Sequence, residues 1–483
     1  MKFYITTAID YVNAAPHLGH AYEKICADVI ARWKRLSGYD VFFLTGTDEN
    51  AQKNVQSAKE KKIPVKRFVD QNSDKFEQLC KKLNLSNDDF IRTTQERHVK
   101  VVQKIFKKLY DKGDIYKGSY EGYYCDGCEA FLTEKDLVSN KCPEHGKEPR
   151  WLKEESYFFK MSKYENKILK LLESKTFVLP ESRRNEMISR IKGGGLKDLS
   201  ISRTNIDWGI DVPIDKKHKI YVWIDALSNY ISALEYPNGK KFKKYWPADI
   251  HLIGKGINWF HSVIWPSILI SAEVELPKTI FVHGYINLSG EKMSKSRGTV
   301  IDPIKLVDSY GADSLRYFLI REVHFGEDGD FSEDALKNRI NNELANDLGN
   351  LLNRTVVLSE KFKGKVNGEK ELEKKLDLKN IEKLMNEFKL TESLDEIWKF
   401  VKECNKYIND KEPWKKEGKE LGNILYNLLE SLRVISILIS PFMPETSEKI
   451  KKQLGVKEET LKYCKFNEFK GKIKKEEILF NKV

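Results

Sequence analysis

The sequence lacks several features that would decide its class at once. It has no run of about 18 apolar residues, so we expect no segment that crosses a membrane. An apolar, strand-like run begins at residue 3, which leaves no room for a secretory signal. Cysteine is scarce, with seven in 483 residues, and this odd number argues against a disulfide framework. These absences predict a cytoplasmic protein.

Neither sign of charge dominates the composition. Lysine and arginine number 84 against 72 for aspartate and glutamate, which gives a net charge of +12. This moderate excess permits a polyanionic partner, and ordinary solubility explains it equally well. With 40% apolar residues the chain can bury several cores, and its length suits roughly three or four domains.

The N-terminal stretch is typical of a strand followed by a helix. Residues 3–8 are apolar, and apolar side chains recur with a 3.6-residue period over residues 22–36. His17, Gly19 and His20 fall between the two, at the predicted helix N-terminus, where unpaired N–H groups attract phosphate. Two imidazoles there can donate hydrogen bonds to a phosphoryl group, and Gly19 leaves space for adenine or ribose. Histidines that merely cap a loop are the alternative.

A second basic motif lies far along the chain. Lys292 and Lys295 belong to the run Lys-Met-Ser-Lys-Ser, which is flanked by Gly290 and Gly298. Two ammonium groups on a loop with flexible ends can close on a polyphosphate during phosphoryl transfer. A solvated surface loop would also explain this motif taken alone. Together with the histidine motif, it predicts an ATP site in which both lysines and both histidines are catalytic.

The cysteines that cluster have the spacing of a metal site. Cys125 and Cys128 are followed, after thirteen residues, by Cys142 and His145. Three thiolates and one imidazole in two short turns match a closed, tetrahedral zinc site. Four protein ligands leave no open position, so this Zn²⁺ would be structural. Unconnected reduced cysteines are the alternative.

These motifs together make the sequence resemble class I aminoacyl-tRNA synthetases, and among them the methionyl-tRNA synthetase family, in a short form with a single zinc knuckle. The resemblance implies an α/β fold with a Rossmann-like catalytic sheet, a zinc-binding insertion and a C-terminal all-α bundle. The implied division is 1–115 and 217–282 for the two catalytic halves, 116–216 for the connective insertion, 283–340 for the stem-contact fold and 341–483 for the anticodon-binding bundle.

The resemblance also implies a reaction and a substrate pocket. Methionine would be ligated to its tRNA through methionyl-adenylate, with ATP and Mg²⁺ as reactants and AMP and pyrophosphate as products. The implied methionine-binding residues are Ile9, Tyr11, Asp48, Trp223, Ala226, Tyr230 and His261. The implied anticodon-reading residues are Asn350, Arg354 and Trp414, and the expected state is a monomer with no membrane partner.

Several of these residues also have meaning without the resemblance. Asp48 follows a predicted buried strand over residues 39–45, where a carboxylate suits an α-ammonium group and a helix cap is the alternative. The apolar run 219–224 predicts a strand that resumes the catalytic sheet, in which Trp223 could equally be an ordinary core residue. Asn350 and Arg354 are four residues apart on a predicted helix, and Trp414 could stack on an unpaired base.

The sequence departs from the family pattern at three places. Gly256 stands where many relatives carry aspartate, Asn50-Ala51 replaces His-Gly, and Leu227 replaces proline. Two other functions remain open at this point. A non-catalytic, zinc-containing RNA-binding protein would have broken phosphate motifs, whereas both motifs are intact. A cysteinyl-tRNA synthetase would use its zinc to hold the substrate thiol rather than in a separate insertion.

Overall fold

The computed structural model describes residues 1–483 except 129, 133, 145, 205, 289–290, 293–300 and 458. Its strands are β1 Lys2–Thr7, β2 Asp10–Tyr11, β3 Asp40–Asp48, β4 Asp89–Arg92, β5 Ile115–Cys125, β6 Ala130–Leu132, β7 Arg150–Phe159, β8 Val178–Leu179, β9 Leu199–Ser200, β10 Ser202–Arg203, β11 Asp211–Val212, β12 Asp215–Ile220, β13 Ile250–Gly254, β14 Ile280–His283, β15 Ile286–Leu288, β16 Glu291–Lys292 and β17 Gly329–Phe331.

The α-helices are α1 Leu18–Leu36, α2 Gln52–Glu60, α3 Val65–Lys82, α4 Glu96–Asp111, α5 Glu165–Leu172, α6 Glu181–Gly194, α7 Val222–Leu227, α8 Asn229–Ser232, α9 Lys240–Tyr245, α10 Trp265–Ser271, α11 Pro303–Tyr310, α12 Ala312–Glu322, α13 Glu333–Arg339, α14 Asn350–Lys361, α15 Leu378–Asn386, α16 Leu390–Lys411, α17 Gly418–Ile439 and α18 Pro444–Leu454. Short 3-10 turns are Glu134–Asp136, Met161–Tyr164, Lys255–Ile257, Glu373–Lys375, Pro413–Lys415 and Leu461–Tyr463, and π-helical turns are Phe260–Ile264 and Ile340–Gly349.

A parallel sheet forms the centre of the N-terminal half. Its strands lie in the order β2-β3-β1-β13-β14-β8, and β4 also pairs with β3. The apolar run near the N-terminus forms β1, which pairs with β3 and β13, and the periodic segment after it forms α1. This confirms the predicted α/β arrangement, with helices covering a parallel sheet. The predicted second strand is longer than expected, because β3 continues through Asp48.

The prediction that a strand over 219–224 resumes this sheet is wrong. Strand β12 ends at Ile220 and pairs with β10 and β11 in a small antiparallel sheet, and α7 begins at Val222. An uninterrupted apolar run of this length fits a buried helix as well as a buried strand, and the periodicity cannot distinguish them. From within the region predicted as an insertion, β8 returns to the main sheet and pairs with β14.

The cysteine motif lies at the end of a long antiparallel ribbon. Strands β5 and β7 pair from Ile115 with Phe159 to Tyr124 with Arg150, and β6 and β9 flank them. Cys125 is the last residue of β5, so the metal-site candidates project from the tip of this ribbon.

The C-terminal half is helical, as predicted, and it shares a core with the catalytic half. One apolar cluster runs from β1 and α1 through α12 to α16, α17 and α18. Inside it, Arg316 is fully buried, pairs with Asp28 of α1 at 2.7 Å, and donates hydrogen bonds to the carbonyl oxygens of Pro441 and Phe442. Burial alone would raise the pKa of Asp28, but the charges of Arg316 and Arg32 hold it below its usual value.

Within the described residues, α17 is the helix long and apolar enough to cross a membrane by length and composition. Buried residues make up 94% of its most apolar 18-residue window. Glu430 and Arg433 interrupt the apolar run, and they pair with each other at 2.8 Å inside the core. Because these two charged residues break the run, the sequence analysis found no uninterrupted apolar stretch long enough to cross a membrane here.

Candidate active site

A cavity of about 390 Å³ opens at the carboxyl edge of the parallel sheet. This is the edge where ligands bind in open α/β sheets. It lies beyond the ends of β1, β3 and β13, and the structure brings nine predicted site residues into its lining: Ile9, Tyr11, His17, His20, Asp48, Trp223, Ala226, Tyr230 and His261. Two of the residues predicted to hold phosphate, His17 and His20, thus line the same cavity as all seven residues predicted to hold methionine.

At one end of the cavity, two histidines cap helix α1. His17 is the N-cap residue, and its Nδ1 accepts a hydrogen bond from the Gly19 N–H at 3.1 Å. The Nδ1 of His20 accepts in turn from the His17 N–H at 3.0 Å, and the two rings stack at 3.7 Å. Because both Nδ1 atoms accept, each neutral ring carries its hydrogen on Nε2 and can donate it to another group.

Two neighbours complete this end of the site. The Nε2 of His20 lies 3.8 Å from Oδ1 of Asp10, whose carboxylate also pairs with the buried Lys24. A side chain at Gly19 would approach Cε1 of His17 to 3.0 Å, so the glycine makes room for the His17 ring, while Gly19 itself is not among the residues that line the cavity.

Aromatic side chains form the opposite end. Trp223 stacks on Phe260 with ring centroids 3.7 Å apart, and Tyr11 meets Trp223 edge-on at 6.2 Å. The Tyr230 hydroxyl and Nε2 of His261 are 2.7 Å apart, and Nδ1 of His261 is 3.0 Å from the Ile257 carbonyl oxygen. This wall is apolar and polarisable, which suits a thioether.

Burial keeps His261 neutral. It lowers the pKa of His261 to about 4, although the hydrogen bond to the Ile257 carbonyl opposes the shift. A neutral ring whose Nδ1 donates to that carbonyl must accept at Nε2, so the Tyr230 hydroxyl is the donor in their pair. Burial also raises the pKa of Tyr230, which keeps this hydroxyl protonated.

A buried polar network holds the floor of the cavity behind Asp48. The side-chain amide of Asn50 donates to Asp225 at 2.7 Å, and its backbone N–H donates to Oδ1 of Asp48 at 3.1 Å. Asp225 also lies 2.6 Å from Nε2 of His98, whose Nδ1 is 2.8 Å from the hydroxyl of Ser232. The network therefore ties Asp48 to helices α4, α7 and α8, and α7 carries Trp223 and Ala226.

The cysteines of the β5–β7 ribbon converge as the sequence predicts. The sulfur atoms of Cys125, Cys128 and Cys142 all lie within 4.8 Å of one another, and those of Cys128 and Cys142 are 3.5 Å apart. Three thiols at these distances could hold one metal ion. His145, the predicted fourth ligand, lies outside the described residues.

Comparisons with known proteins bear on the whole chain. A family model described as tRNA synthetases class I (M) matches residues 3–149 and 135–356, and another described as the anticodon-binding domain of tRNA ligase matches residues 370–482. A methionine–tRNA ligase of Caldanaerobacter subterraneus subsp. tengcongensis is 52% identical over 100% of this chain and 79% of its own length. One from Thermotoga maritima is 48% identical over 96% of this chain and 76% of its own length.

The chain belongs to the methionine–tRNA ligase family. A solved structure of Mycobacterium tuberculosis methionyl-tRNA synthetase in complex with methionyl-adenylate is similar to it with a TM-score of 0.95, at 40% identity, over 99% of this chain and 100% of that one. The free form of the same synthetase gives a TM-score of 0.87 at 38% identity, over 100% of this chain and 98% of that one. Membership of this family rules out the cysteinyl alternative.

The structure brings two of the predicted anticodon residues, Arg354 and Trp414, into contact. The Arg354 guanidinium lies over the Trp414 ring at 5.4 Å and donates to Oδ1 of Asn409 at 2.9 Å. Asn350 is exposed on the same helix, α14, and 52% of Trp414 is exposed. Asn350 and Arg354 are four residues apart on α14 and so lie on the same face of that helix.

The two predicted lysines lie in the second basic motif. Lys292 ends strand β16, and Lys295, like His145, lies outside the described residues. The structure also adds cavity residues that the sequence analysis missed: Asp10, Glu23, Lys53, Asn229 and Tyr285. Glu23 and Lys53 had no signal beyond helical spacing, whereas Asp10 and Tyr285 follow strands of the main sheet and the edge rule could have found them.

Proposed function

We propose that this protein joins methionine to tRNA with ATP, through a methionyl-adenylate intermediate, and releases AMP and pyrophosphate. The observation that carries the proposal is that the paired histidines of α1 and the aromatic wall around His261 line one cavity. Membership of the methionine–tRNA ligase family supports the same reaction.

In the proposed first step, the methionine carboxylate attacks the α-phosphorus of ATP and pyrophosphate leaves. The attacking group is already ionised, so the step needs alignment and charge stabilisation more than a general base. The Nε2–H groups of His17 and His20 would donate to the phosphate oxygens, and Lys292 and Lys295 would neutralise the leaving pyrophosphate. Mg²⁺ bound with ATP would offset further negative charge on the phosphates.

The proposed pocket holds methionine by both of its ends. Asp48 would accept hydrogen bonds from the α-ammonium group, since its carboxylate is buried at the end of β3 beside Tyr11. Ile9, Tyr11, Trp223, Ala226, Tyr230 and His261 would enclose the side chain, as the cavity lining supports. An apolar pocket of this kind distinguishes one methylene by only about 1–3 kcal/mol.

In the second step, the methionyl group would pass to the 2′-hydroxyl of the terminal adenosine of tRNA. Asn350, Arg354 and Trp414 would contact the anticodon bases by hydrogen bonding and stacking. We also keep as proposals the division into catalytic, insertion, stem-contact and bundle domains, a monomeric state, and a cytoplasmic location.

The three clustered cysteines fit a structural Zn²⁺. Zinc prefers thiolate and imidazole ligands in a closed tetrahedral set, which Cys125, Cys128, Cys142 and His145 would supply. The ion would hold the tip of the β5–β7 ribbon together and would take no part in the reaction. Metal analysis of the purified protein should find one zinc per chain, and Cys142→Ser should lose it.

Methionine-dependent exchange of pyrophosphate into ATP tests the proposed reaction. We expect exchange with methionine and far less with cysteine or leucine, because the pocket wall is apolar and polarisable, which suits a thioether. No exchange with any amino acid would favour the non-catalytic RNA-binding alternative. Exchange with cysteine alone would contradict the pocket assignment.

A further inference from the structure

A buried histidine and a buried glutamate form an ion pair at the wall of the cavity. Nε2 of His283 lies 2.9 Å from Oε2 of Glu23, and the exposed fractions of the two side chains are 7% and 9%. Glu23 lines the cavity, whereas His283 is not among the residues that line it. The Tyr22 ring meets the His283 ring edge-on, with centroids 5.5 Å apart. His283 can therefore affect a ligand in the cavity only through its neighbours.

Both ring nitrogens of His283 face oxygen atoms that accept hydrogen bonds. Nδ1 is 2.7 Å from the Gly284 carbonyl oxygen, and Nε2 faces the Glu23 carboxylate. A ring with one hydrogen could donate to only one of these acceptors. A carboxyl group gives up its proton more readily than an imidazolium does, so the ring carries both hydrogens and the two side chains form a charge-assisted pair.

Glu23 belongs to the helix that carries the paired histidines. It follows His20 by three residues on α1, and residues at this spacing are neighbours on the surface of a helix. The two side chains therefore move together when α1 moves. The ion pair thus acts on the helix end whose Nε2–H groups the proposed function assigns to the phosphate oxygens.

His283 belongs to the segment that leads to the lysine motif. It is the last residue of β14, and the chain continues from it into the β15–β16 hairpin, which ends at Lys292. Asn287 of β15 pairs with Lys292 of β16. Ile286, the first residue of β15, is buried in the same apolar cluster as α1. The first strand of the hairpin is thus packed in the core, and its second strand carries Lys292.

The two segments that this pair joins are remote in the sequence, since Glu23 and His283 are separated by 260 residues. Catalysis by alignment requires groups from both segments to meet one polyphosphate, so an error in their relative position lowers the rate. We infer that the Glu23–His283 ion pair sets the position of the β15–β16 hairpin relative to the paired histidines of α1. Both members are then positioning residues for adenylate formation. The inference rests on the proposed function, because the polyphosphate of ATP is the group that the two segments would share.

Substitution of each partner by glutamine tests the inference, because glutamine keeps a hydrogen-bonding side chain but carries no charge. Glu23→Gln and His283→Gln should each lower kcat for methionine-dependent pyrophosphate exchange by a similar factor, roughly 10- to 100-fold, the cost of misplacing reacting groups by up to about 1 Å. The double variant should lose no more than either single variant, because the two residues act as one unit. The KM for methionine should change little, since the aromatic wall is unaltered.

Direct action of Glu23 on the nucleotide would give a different pattern. Glu23→Gln would then cost more than His283→Gln, and the losses would multiply in the double variant, which would overturn the inference. An unchanged kcat in either single variant would overturn it as well. Methionine binding, followed by the fluorescence of Trp223, shows whether each variant is folded.

Nitrogen-15 NMR of the histidine rings gives a readout that a merely structural role would not move. The His283 resonances are those that disappear in His283→Gln or shift in Glu23→Gln, so one folded variant is enough to identify them. At pH 7 we expect the chemical shifts of a ring with both hydrogens in the unmodified protein, and of a ring with one hydrogen in Glu23→Gln. A ring with one hydrogen in the unmodified protein would contradict the inference.

Glu155→Gln is the matched control. Glu155 also pairs with Nε2 of a buried histidine, His218, at 3.3 Å, but neither residue lines the cavity. This variant should keep the kcat and the KM values of the unmodified protein. Failure of the proposed function would look different, because the unmodified protein would then show no methionine-dependent exchange.

Discussion

The nitrogen atoms of His17 and His20 are oriented before any ligand arrives. Each Nδ1 accepts a backbone N–H at the start of α1, which turns each Nε2 towards other partners. Donors fixed in this way need no reorganisation when charge develops on a phosphate. The helix therefore orients its own catalytic candidates.

Substitution of His20 by alanine tests this arrangement. His20→Ala should lower kcat for pyrophosphate exchange by about 10²- to 10³-fold, since one donor to the developing charge is lost. Methionine binding, followed by the fluorescence of Trp223 beside the pocket, should change little. His324→Ala, at an exposed histidine outside the cavity lining, is the control and should leave kcat unchanged. Equal loss of methionine binding and exchange would contradict the assignment.

The lowered pKa of His261 predicts a pH dependence of stability. The folded protein takes up this proton near pH 4, whereas an unfolded histidine does so near 6.5. Between these values the unfolded chain binds more protons, so the free energy of unfolding falls as the pH is lowered. The slope from this one group is roughly 1.4 kcal/mol for each pH unit.

Urea unfolding at pH 7, 6 and 5 measures that slope. His261→Gln should reduce it, because glutamine does not titrate. The slope should not vanish, since burial also lowers the pKa of His251 well below its usual value. His324→Gln should leave the slope as it is, and an unchanged slope in His261→Gln would show that this ring titrates normally.

At the scale of elements, the Asn50–Asp225–His98 network joins four segments behind the pocket. Asp225→Ala would leave the buried amide of Asn50 and the buried ring of His98 without their shared acceptor. We expect the free energy of unfolding to fall by about 3–5 kcal/mol. The KM for methionine should rise, because α7 also carries Trp223, while the KM for ATP should change less.

Asp308 supplies the contrast for this substitution. Its carboxylate pairs with Lys82 at 2.5 Å, and both side chains are about half exposed. Asp308→Ala should therefore cost less than about 1 kcal/mol. If urea unfolding shows the same loss of unfolding free energy in both variants, the buried network stabilises the fold no more than an exposed ion pair does.

Local pattern was enough to predict some elements and not others. Helix α1 followed from its 3.6-residue period, and β1 from its apolar run, since each buries the face that the pattern marks. The run 219–224 carries no period, so its division between β12 and α7 depends on what packs around it. Strand β4 is four residues long and was not predicted, because so short a segment carries almost no signal.

The site residues also fall into two groups, those that local sequence predicts and those that depend on packing. His17 and His20 are close in sequence, and so are the three cysteines. Spacing alone therefore predicts that the two histidines lie together and that the three cysteines lie together. Contacts between distant segments are decided by packing, and nothing in the sequence indicates that Tyr285 fills the space beside Gly256. Asp10 and Tyr285 could have been named from their places after strands, but their partners could not.

At the scale of the whole molecule, the surface around Trp414 is far along the chain from the cavity residues. Trp414→Ala should raise the KM for tRNA in aminoacylation by roughly 5- to 150-fold, the range for one stacked base. Pyrophosphate exchange without tRNA should be unaffected. Tyr110→Ala removes another exposed aromatic side chain, on α4, and should change neither assay. A parallel loss of exchange in Trp414→Ala would indicate misfolding rather than lost base contact.

The continuous apolar cluster has a practical consequence for anyone dissecting this enzyme. Separating the catalytic half from the bundle would expose apolar surface on both fragments. It would also remove the carbonyl groups of Pro441 and Phe442, which accept hydrogen bonds from the buried Arg316 guanidinium. Truncated fragments would then aggregate for reasons unrelated to tRNA. Single substitutions in the intact chain are therefore the better way to separate effects on pyrophosphate exchange from effects on tRNA aminoacylation.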